Sequence, residues 1–217
     1  NAENNRNQDW LKTGINLLDA ELSGVPTVDL LSERVIRFMA GYVDAQQGFI
    51  YIVDENGQNL HLRASYGAPA SANTEAVIPL GEGIIGQVAK NQSVMHLKGG
   101  EHPLVLSFGN HSVEAHGCIV FPLIHEDQLT GVVELISTQP FDELKETFFK
   151  LSGVNMAIAI RTVNAAEKVR GLLKHSQEQA NELAVQQEEL RQANEELQEQ
   201  TAALRVSEET LQAQQEE

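Results

Sequence analysis

Three histidines, His102, His111 and His116, lie within one stretch of the 217-residue chain that also contains glycines and a proline, residues 98–117. Imidazole is the usual protein ligand for transition metals and for haem iron, so these three residues could hold either. Their spacing matches no metal-binding motif, and histidines in loops are mostly solvated. We therefore predict an irregular lid or binding loop here and assign no metal site.

The other chemically active side chains suggest no reaction. Cys118 is the single cysteine, which excludes an internal disulfide framework and fits a reducing cytoplasm. It opens an apolar segment, as a small buried residue does. No nucleophile has an assigned base, and no pair of carboxylates converges by an obvious spacing. The sequence therefore predicts no catalytic residue, and it leaves the cofactor unknown.

Two amphipathic helices are predicted at the start of the chain. The apolar residues of the first alternate by four and three, which is coiled-coil spacing: Leu11, Ile15, Leu18 and Leu22. This helix either pairs with its copy across a dimer or packs onto its own domain, and the sequence leaves both open. The second helix, capped by Thr27 or Asp29, has an apolar stripe that must lie against a sheet.

The middle of the chain has the composition of strands and tight turns. The predicted strands are 48–53, 60–66, 76–80, 93–97, 118–124 and 129–136. Asn56 and Gly57 predict a tight hairpin between the first two strands. A short helix after the glycine-containing turn at 81–83 is expected to direct Ile84, Ile85 and Val88 inward.

A last helix is predicted to begin after Pro140 and to meet no further proline, so that one helix connects the sheet to the C-terminal segment. Its apolar residues are Phe148, Leu151, Val154, Ile158 and Val163. Ile158, Ala165 and Leu172 keep a seven-residue spacing, but the next step, to Leu183, is eleven residues. We interpret that step as a local stutter in a supercoil.

The C-terminal segment is predicted to be a coiled coil. Leucines occupy every seventh position: Leu183, Leu190, Leu197, Leu204 and Leu211. The facing a positions are mostly polar: Ala180, Gln187, Asn194, Thr201 and Glu208. Half of each core layer is therefore polar, and Asn at an a position favours a parallel dimer. We expect a marginally stable homodimer that transmits a change, and the uncapped end predicts that the helix continues in a longer protein.

Charge and hydropathy exclude several functions. The formal net charge of −16 argues against binding to nucleic acid or to anionic membranes. The longest apolar runs have the length of strands, and no signal peptide is visible. We therefore expect a cytoplasmic location, as the cytoplasmic part of a membrane-anchored sensor if a span lies upstream.

Particular phrases make the chain resemble a GAF domain followed by a signalling helix, as in bacterial sensor histidine kinases. These phrases are GFIYIVD at 48–54, GEGIIGQVA at 81–89, FPL at 121–123, GVVEL at 131–135 and PF at 140–141. QQEELR at 186–191 and NEEL at 194–197 look like the linker before a kinase. The resemblance implies an α+β fold with a central antiparallel sheet of about six strands, helices on both faces and a long C-terminal coiled-coil helix.

The resemblance also implies a domain organisation and a small-molecule pocket on one face of the sheet. The expected units are a connector helix at 1–26, the GAF domain at 27–164 and the coiled coil at 165–217. If a pocket is open, we expect its walls to be Phe49, Tyr51, Ile84, Ile85, Val88, Phe108, His116, Phe121 and Glu134. The equally acceptable alternative is that these residues simply fill the core.

Family ligands and phosphoacceptors find little support in the sequence. Cys118 lacks the adjacent histidine of bilin-binding members, and Phe141-Asp142-Glu143 opens a helix and does not complete a cyclic-nucleotide signature. His125 lies beside a turn, and His175 is at an outward heptad position. We therefore expect a non-enzymatic relay for a downstream kinase domain; the alternatives are a small-molecule or haem receptor and a regulatory module of a cyclic-dinucleotide cyclase.

Overall fold

The computed structural model describes residues 2–69, 76–97, 104–108 and 111–215, but not the side chains of Ala2, Phe108 and residues 208–215. The chain forms two compact units, residues 1–167 and residues 168–217. In chain order the elements are α1 (Ala2–Leu22), α2 (Val28–Tyr42), β1 (Gln47–Val53), β2 (Asn59–Tyr66), β3 (Val77–Pro79), α3 (Gly83–Asn91), β4 (Met95–Leu97), β5 (Leu104–Phe108), β6 (His111–Ala115), β7 (Gly117–His125), β8 (Gln128–Ser137) and α4 (Glu143–Gln215).

The first helix packs onto its own domain, and its pairing with a copy of itself stays a prediction. Leu18 is fully buried, and Leu11, Ile15 and Leu22 are partly buried against the same core. Trp10 stacks on Tyr42 of α2 with ring centroids 4.7 Å apart. The Tyr42 hydroxyl also donates a hydrogen bond of 2.7 Å to the Trp10 carbonyl oxygen, so the polar end of this partly buried ring is satisfied.

Helix α2 begins where its cap predicts. The Thr27 side chain accepts a hydrogen bond of 3.3 Å from the backbone N–H of Leu30, which confirms Thr27 as the N-cap. A second acceptor comes from far along the chain, because the Val28 N–H donates to the Glu167 carboxylate at 3.0 Å. A carboxylate is favourable at this end of a helix because the first N–H groups and the helix dipole are both positive.

The central sheet has six antiparallel strands in the order β3-β2-β1-β8-β7-β4. This confirms the predicted α+β fold with a six-stranded sheet. Within residues 98–117, however, the prediction of an irregular loop is wrong for the part of the chain that the structure describes. Strands β5 and β6 pair as a separate antiparallel hairpin, with Leu106 opposite Val113.

The loop between β1 and β2 is longer than its Asn-Gly pair predicts. It runs from Asp54 to Gln58, and the Asp54 N–H donates to the Asn59 carbonyl oxygen at 2.9 Å. The Asp54 carboxylate accepts from the Gln58 N–H and from the Asn59 side-chain amide, each at 2.9 Å. These hydrogen bonds hold the pKa of Asp54 below its ordinary value. The side chain of Asp54 therefore organises this turn.

The two faces of the sheet bury different clusters of residues. The helix-side face packs against α1, α2 and α4: Ile50, Ile52, Ala64, Ile119, Phe121, Leu123, Val133 and Leu135. The other face, which we call the pocket-side face, packs against α3 and the β5–β6 hairpin: Tyr51, Leu60, Cys118, Val120, Val132 and Ile136. Helices thus lie on both faces, as expected. The alternation of strand side chains separates the two clusters, apart from register shifts between Ile50 and Tyr51 and between Leu123 and Ile124.

Helix α4 is a single helix of 73 residues, which confirms the prediction of an uninterrupted connection. Asp142 caps its first turn by accepting from the Lys145 N–H at 2.8 Å. The residues that α4 buries in the first unit are Phe148, Phe149, Met156, Ala157 and Ile160. Among the apolar residues predicted along this helix, Phe148 is fully buried, whereas Leu151, Val154 and Ile158 are exposed.

The second unit consists of the remainder of α4. Its leucines are exposed in the single chain, with Leu183 at 59% and Leu190 at 64% of full exposure. Arg191 forms ion pairs with Glu188 and Glu195 one turn to either side. Ion pairs between residues three or four positions apart favour the helical conformation. None of the described helices is long and apolar enough to span a bilayer.

Candidate functional site

The pocket-side face is the candidate site because it combines an apolar surface with three titratable side chains. The strands β1, β7 and β8 place Tyr51, Cys118 and Glu134 on this face. Around them the face is apolar, with Val120 and Val132 fully buried. An apolar lining with a few polar groups is the usual composition of a small-molecule site.

Glu134 lies at the centre of the cluster. In the sheet it pairs with Phe49 on β1 and with Val120 on β7, so its immediate neighbours across the strands are apolar. The Cys118 thiol lies 4.0 Å from a Glu134 carboxylate oxygen and donates to it as a weak hydrogen bond. No Lys, Arg or His among the described residues forms an ion pair with Glu134. The carboxylate therefore lacks a cationic partner in the described part of the chain.

The surroundings of the three titratable groups favour the neutral form of each. Burial raises the pKa of Glu134 above its ordinary value, because a charged carboxylate loses solvation on an apolar face. Burial, together with the negative charge of Glu134, raises the pKa of Cys118 to about 12. The same two causes raise the pKa of Tyr51. Since only a thiolate is nucleophilic, Cys118 is an inert thiol at neutral pH.

Two glycines in the phrases that carry the family resemblance allow close backbone approaches. A Cβ atom at Gly86 of α3 would collide with the Pro79 carbonyl oxygen, and one at Gly131 of β8 would collide with the Tyr51 carbonyl oxygen. Gly86 thus brings α3 against β3, and Gly131 brings β8 close to β1. These contacts place Ile85 and Val88 over the pocket-side face.

The structure brings together part of the predicted pocket wall. Tyr51, Ile85 and Val88 are buried on the pocket-side face, with Phe49 partly buried there and Glu134 paired between the strands. The structure does not place the other predicted wall residues with this group. Ile84 is 42% exposed, which contradicts its expected inward direction, and the Phe108 side chain lies outside the described residues. His116 is exposed, and its backbone N–H donates to the Ser137 carbonyl oxygen at 3.0 Å.

Phe121 is the clearest correction to the predicted wall. It lies on the helix-side face and stacks on Phe149 of α4, with ring centroids 5.3 Å apart. The register explains this placement, because Phe121 pairs with Val133 whereas Val120 pairs with Glu134. Phe121 and Glu134 therefore lie on opposite faces of the sheet.

Sequence reasoning missed several pocket-side residues: Cys118 as a site residue, Leu106, Ala115, Val120 and Val132. For the strand residues a signal existed. Glu134 is the one charged residue in β8, and every second residue from it shares its face. Its partners across the register, Val120 and then Cys118, follow from the same rule. Leu106 and Ala115 belong to the β5–β6 hairpin, which the glycine- and proline-containing composition of residues 98–117 does not predict.

The histidines do not form a metal centre in the described part of the chain. His102 lies outside the described residues, and His111 is exposed on β6. The described residues contain no group of three His, Cys, Asp or Glu side chains that could hold a metal ion. His96 instead pairs with Glu146 at 3.6 Å, beside a cleft of about 440 Å³ that Cys118 and His116 also line.

The predicted dimer residues all lie on the second unit of α4. Gln187, Leu190, Asn194, Leu197 and Leu204 are exposed in the single chain, as Leu183 is. The Thr201 hydroxyl donates to the Leu197 carbonyl oxygen at 2.7 Å, so its polar group is satisfied within the helix. The side chains of Leu211 and Glu208 lie outside the described residues. Their pairing with a second chain stays a prediction.

A family model described as "GAF domain" matches residues 26–161. This range contains the whole sheet, the α3 glycines and the packed part of α4. No curated protein sequence gives a significant match to the chain.

Solved structures share the fold at low sequence identity. The GAF domain from a phosphoenolpyruvate-protein phosphotransferase of Coxiella burnetii is 19% identical, with a TM-score of 0.61, over 73% of this chain and 96% of that one. Residues 122 to 287 of a methyl-accepting chemotaxis protein are 15% identical, with a TM-score of 0.55, over 68% and 97%. Free methionine-R-sulfoxide reductase from Neisseria meningitidis is 16% identical, with a TM-score of 0.55, over 74% and 91%. The shared fold therefore occurs in regulatory proteins and in an enzyme.

Proposed function

The chain belongs to the GAF domain family, and from that premise we propose that it is the sensor and relay part of a bacterial two-component histidine kinase. In this proposal it works in the cytoplasm as a parallel homodimer. A change in the GAF unit alters the coiled coil of the second unit, and the coiled coil passes the change to a downstream kinase domain. The chain itself performs no catalysis in this role.

The observation that carries the proposal is the composition of helix α4. Its first part contributes Phe148, Phe149 and Met156 to the core of the GAF unit. Its later part has leucines at seven-residue intervals, all exposed where they are described. Apolar side chains at this spacing are stable in water when a second helix covers them. One continuous helix thus belongs both to a sensor core and to a dimer seam.

The polar layers of the seam favour a relay over a permanent clamp. Gln187, Asn194 and Thr201 alternate with the leucines, so each layer buries about half the apolar area of an Ile-Leu zipper. A marginal interface can change its register or twist at a small cost in free energy, whereas a fully apolar one is held in a single state. The marginal seam is therefore suited to switching.

The proposal is tested by making the seam apolar. In a full-length protein that contains the chain, Gln187→Ile with Asn194→Ile should tighten the dimer at least about tenfold, measured by sedimentation equilibrium. The autophosphorylation rate should become fixed, because the seam no longer changes state. Gln192→Ile with Glu199→Ile, on the outward side of the heptads, is the matched control and should alter neither quantity. A tighter dimer whose kinase activity still responds normally would contradict the relay.

A second candidate function, a small-molecule receptor, is favoured by Glu134. A carboxylate on an apolar face without a cationic partner among the described residues is suited to a ligand that offers a cation or an N–H donor. Native mass spectrometry of the purified chain would show a retained ligand, and Glu134→Gln should reduce its occupancy. For haem, the probe is added hemin, and a Soret band lost in His111→Ala or His116→Ala would support that form of the receptor. If the purified protein retains no ligand and does not bind hemin, the receptor function is contradicted and the relay is the only one of the two functions that remains.

A further inference from the structure

A cleft of about 370 Å³ lies where the end of β1 and the loop after it, the start of β8 and helix α4 come together. Two of the polar side chains that line it have a buried atom without a hydrogen-bond partner in the described part of the chain, the Thr130 hydroxyl and Nη1 of Arg161. A buried polar atom that forms no hydrogen bond costs free energy, and folded proteins contain few of them. Two in one cleft indicate a binding site, which we call the Arg161 cleft.

A β-bulge positions the Thr130 hydroxyl. In the pairing of β7 with β8, Leu123 lies opposite Gly131 and Ile124 lies opposite Leu129, so Thr130 is an extra residue of β8. A bulge redirects a side chain, and bulges are common beside functional sites. Thr130 is only 7% exposed, so its hydroxyl borders the cleft from within the fold. The polar group is therefore held by the sheet itself.

Arg161 brings a positive charge to the same cleft from helix α4. The residue before it, Ile160, is buried in the helix-side core, which holds this turn of the helix against the sheet. A guanidinium can donate two parallel hydrogen bonds to the two oxygens of a carboxylate, and a hydroxyl can donate a third. The cleft also has an apolar part: Ile52, Val53, Leu129 and Ile160. These groups together suit an acid that carries a short apolar chain.

The acidic residues of the cleft restrict the charge of its occupant. Asp54 and Glu55 also line the cleft. A phosphate group carries about −1.5 to −2 charge at neutral pH, whereas a carboxylate carries one negative charge, so these residues repel phosphate more strongly. Asp54 does not satisfy Nη1 of Arg161, since its carboxylate accepts from the Gln58 N–H and the Asn59 amide. A carboxylate is therefore the better fit.

We propose that the Arg161 cleft binds a small carboxylic acid with a short apolar chain, whose carboxylate accepts hydrogen bonds from Arg161 and from the Thr130 hydroxyl. The volume of about 370 Å³ is at the small end of the range for ligand sites, which fits a molecule of this size. The cleft does not include the pocket-side residues Tyr51, Cys118 and Glu134. The inference thus goes beyond the proposed function and does not depend on it.

Binding of sodium butyrate to the full chain tests the site, measured by saturation-transfer NMR of the ligand signals. Butyrate should bind saturably, and butyramide, which has a similar size but no charge, should bind at least about tenfold more weakly. Inorganic phosphate should not displace butyrate. Absence of saturable butyrate binding, or equal binding of butyramide, would overturn the proposal, and displacement by phosphate would overturn the choice of a carboxylate.

Two variants locate the binding. Arg161→Met, which keeps an apolar stem and removes the charge, should raise the dissociation constant of butyrate at least about tenfold, whereas Arg34→Met at an exposed position of α2 should not change it. Thr130→Val, which keeps the shape and removes the hydroxyl, should weaken butyrate binding at least about threefold. Unchanged butyrate affinity in Arg161→Met would overturn the site.

The stability of Thr130→Val without butyrate separates a binding role from a structural one. Because the unpartnered hydroxyl is removed, the urea midpoint of this variant should be higher than that of the unmodified chain. A side chain that only supports the fold would give the opposite result. A lower urea midpoint would show that the hydroxyl is bonded within the fold, and it would overturn the site.

Discussion

The two faces of the central sheet are built for different purposes. On the helix-side face, Phe121, Phe148 and Phe149 are fully buried, and Phe121 stacks on Phe149. On the pocket-side face, Tyr51 and Glu134 replace such aromatic packing with groups that prefer to be hydrated. An apolar face contributes more free energy of folding per residue than a face that buries polar groups. The fold is thus secured on one side, which leaves the other free to vary.

The largest expected effect comes from opening the helix-side face. Phe121→Ala should lower the free energy of unfolding by about 3–5 kcal/mol, because it leaves a cavity against Phe149. Phe49→Ala on the pocket-side face should cost about 1–2 kcal/mol, since that ring is only partly buried. Urea unfolding at a fixed protein concentration measures both values. Equal losses of unfolding free energy in the two variants would contradict the proposed difference between the faces.

A smaller, pH-dependent effect is expected from Glu134. The pKa of Glu134 is raised in the folded chain. At pH values between the unfolded and the folded pKa, the folded state therefore binds more protons than the unfolded state. The stability of the folded chain falls as the pH rises through this range. Glu134→Gln removes this loss, so its advantage over the unmodified chain should be absent at low pH and grow above the unfolded pKa. Thermal unfolding from pH 4 to pH 8 provides the measurement. Glu126→Gln, at an exposed turn position, is the control and should follow the unmodified chain.

The smallest effect on stability should come from the turn between β7 and β8, whose register keeps the two faces of the sheet distinct. Glu126 and Asp127 join β7 to β8 with φ angles of 50° and 59°, the left-handed conformation that Asn and Gly tolerate best. Replacing them with Asn and Gly should stabilise the chain by about 0.5–1 kcal/mol, seen as a higher urea midpoint with an unchanged slope. The pair Asn56→Ala with Gly57→Ala, in the other hairpin, should destabilise. A loss of stability in the first variant would mean that these two residues hold the register by other contacts.

Much of the fold could be predicted from the sequence because its periodicities are strong. The stripe of α2, the cap at Thr27 and the six main strands each follow one period or one local hydrogen bond. The sequence does not predict the β5–β6 hairpin, because the residues around it have the composition of a loop. In its described residues, Leu106 and Ala115 are the side chains that are buried, too few to reveal a strand period.

The candidate site was harder to predict, for a reason visible in β7. Residues 118–123 are all apolar, apart from the imino acid Pro122, so alternation cannot show which side each one faces. Phe121 was therefore grouped with Glu134, although a shift of one residue separates their faces. In α4, similarly, apolar Leu151, Val154 and Ile158 match a core stripe by type, and only the tertiary packing of Phe148 and Ala157 reveals which side is buried.

The hydrogen bond between Val28 and Glu167 is sensitive to rotation of α4 about its own axis. Glu167 follows the first residue of α4 by 24 positions, or about 36 Å along the helix axis. With side chains extending about 5–6 Å from that axis, a turn of α4 by about 10° moves the carboxylate sideways by about 1 Å. A displacement of that size along the 3.0 Å hydrogen bond would take its two atoms beyond hydrogen-bonding distance. Such a twist would remove the second acceptor at the start of α2, the Glu167 carboxylate, while the Thr27 cap stays in place.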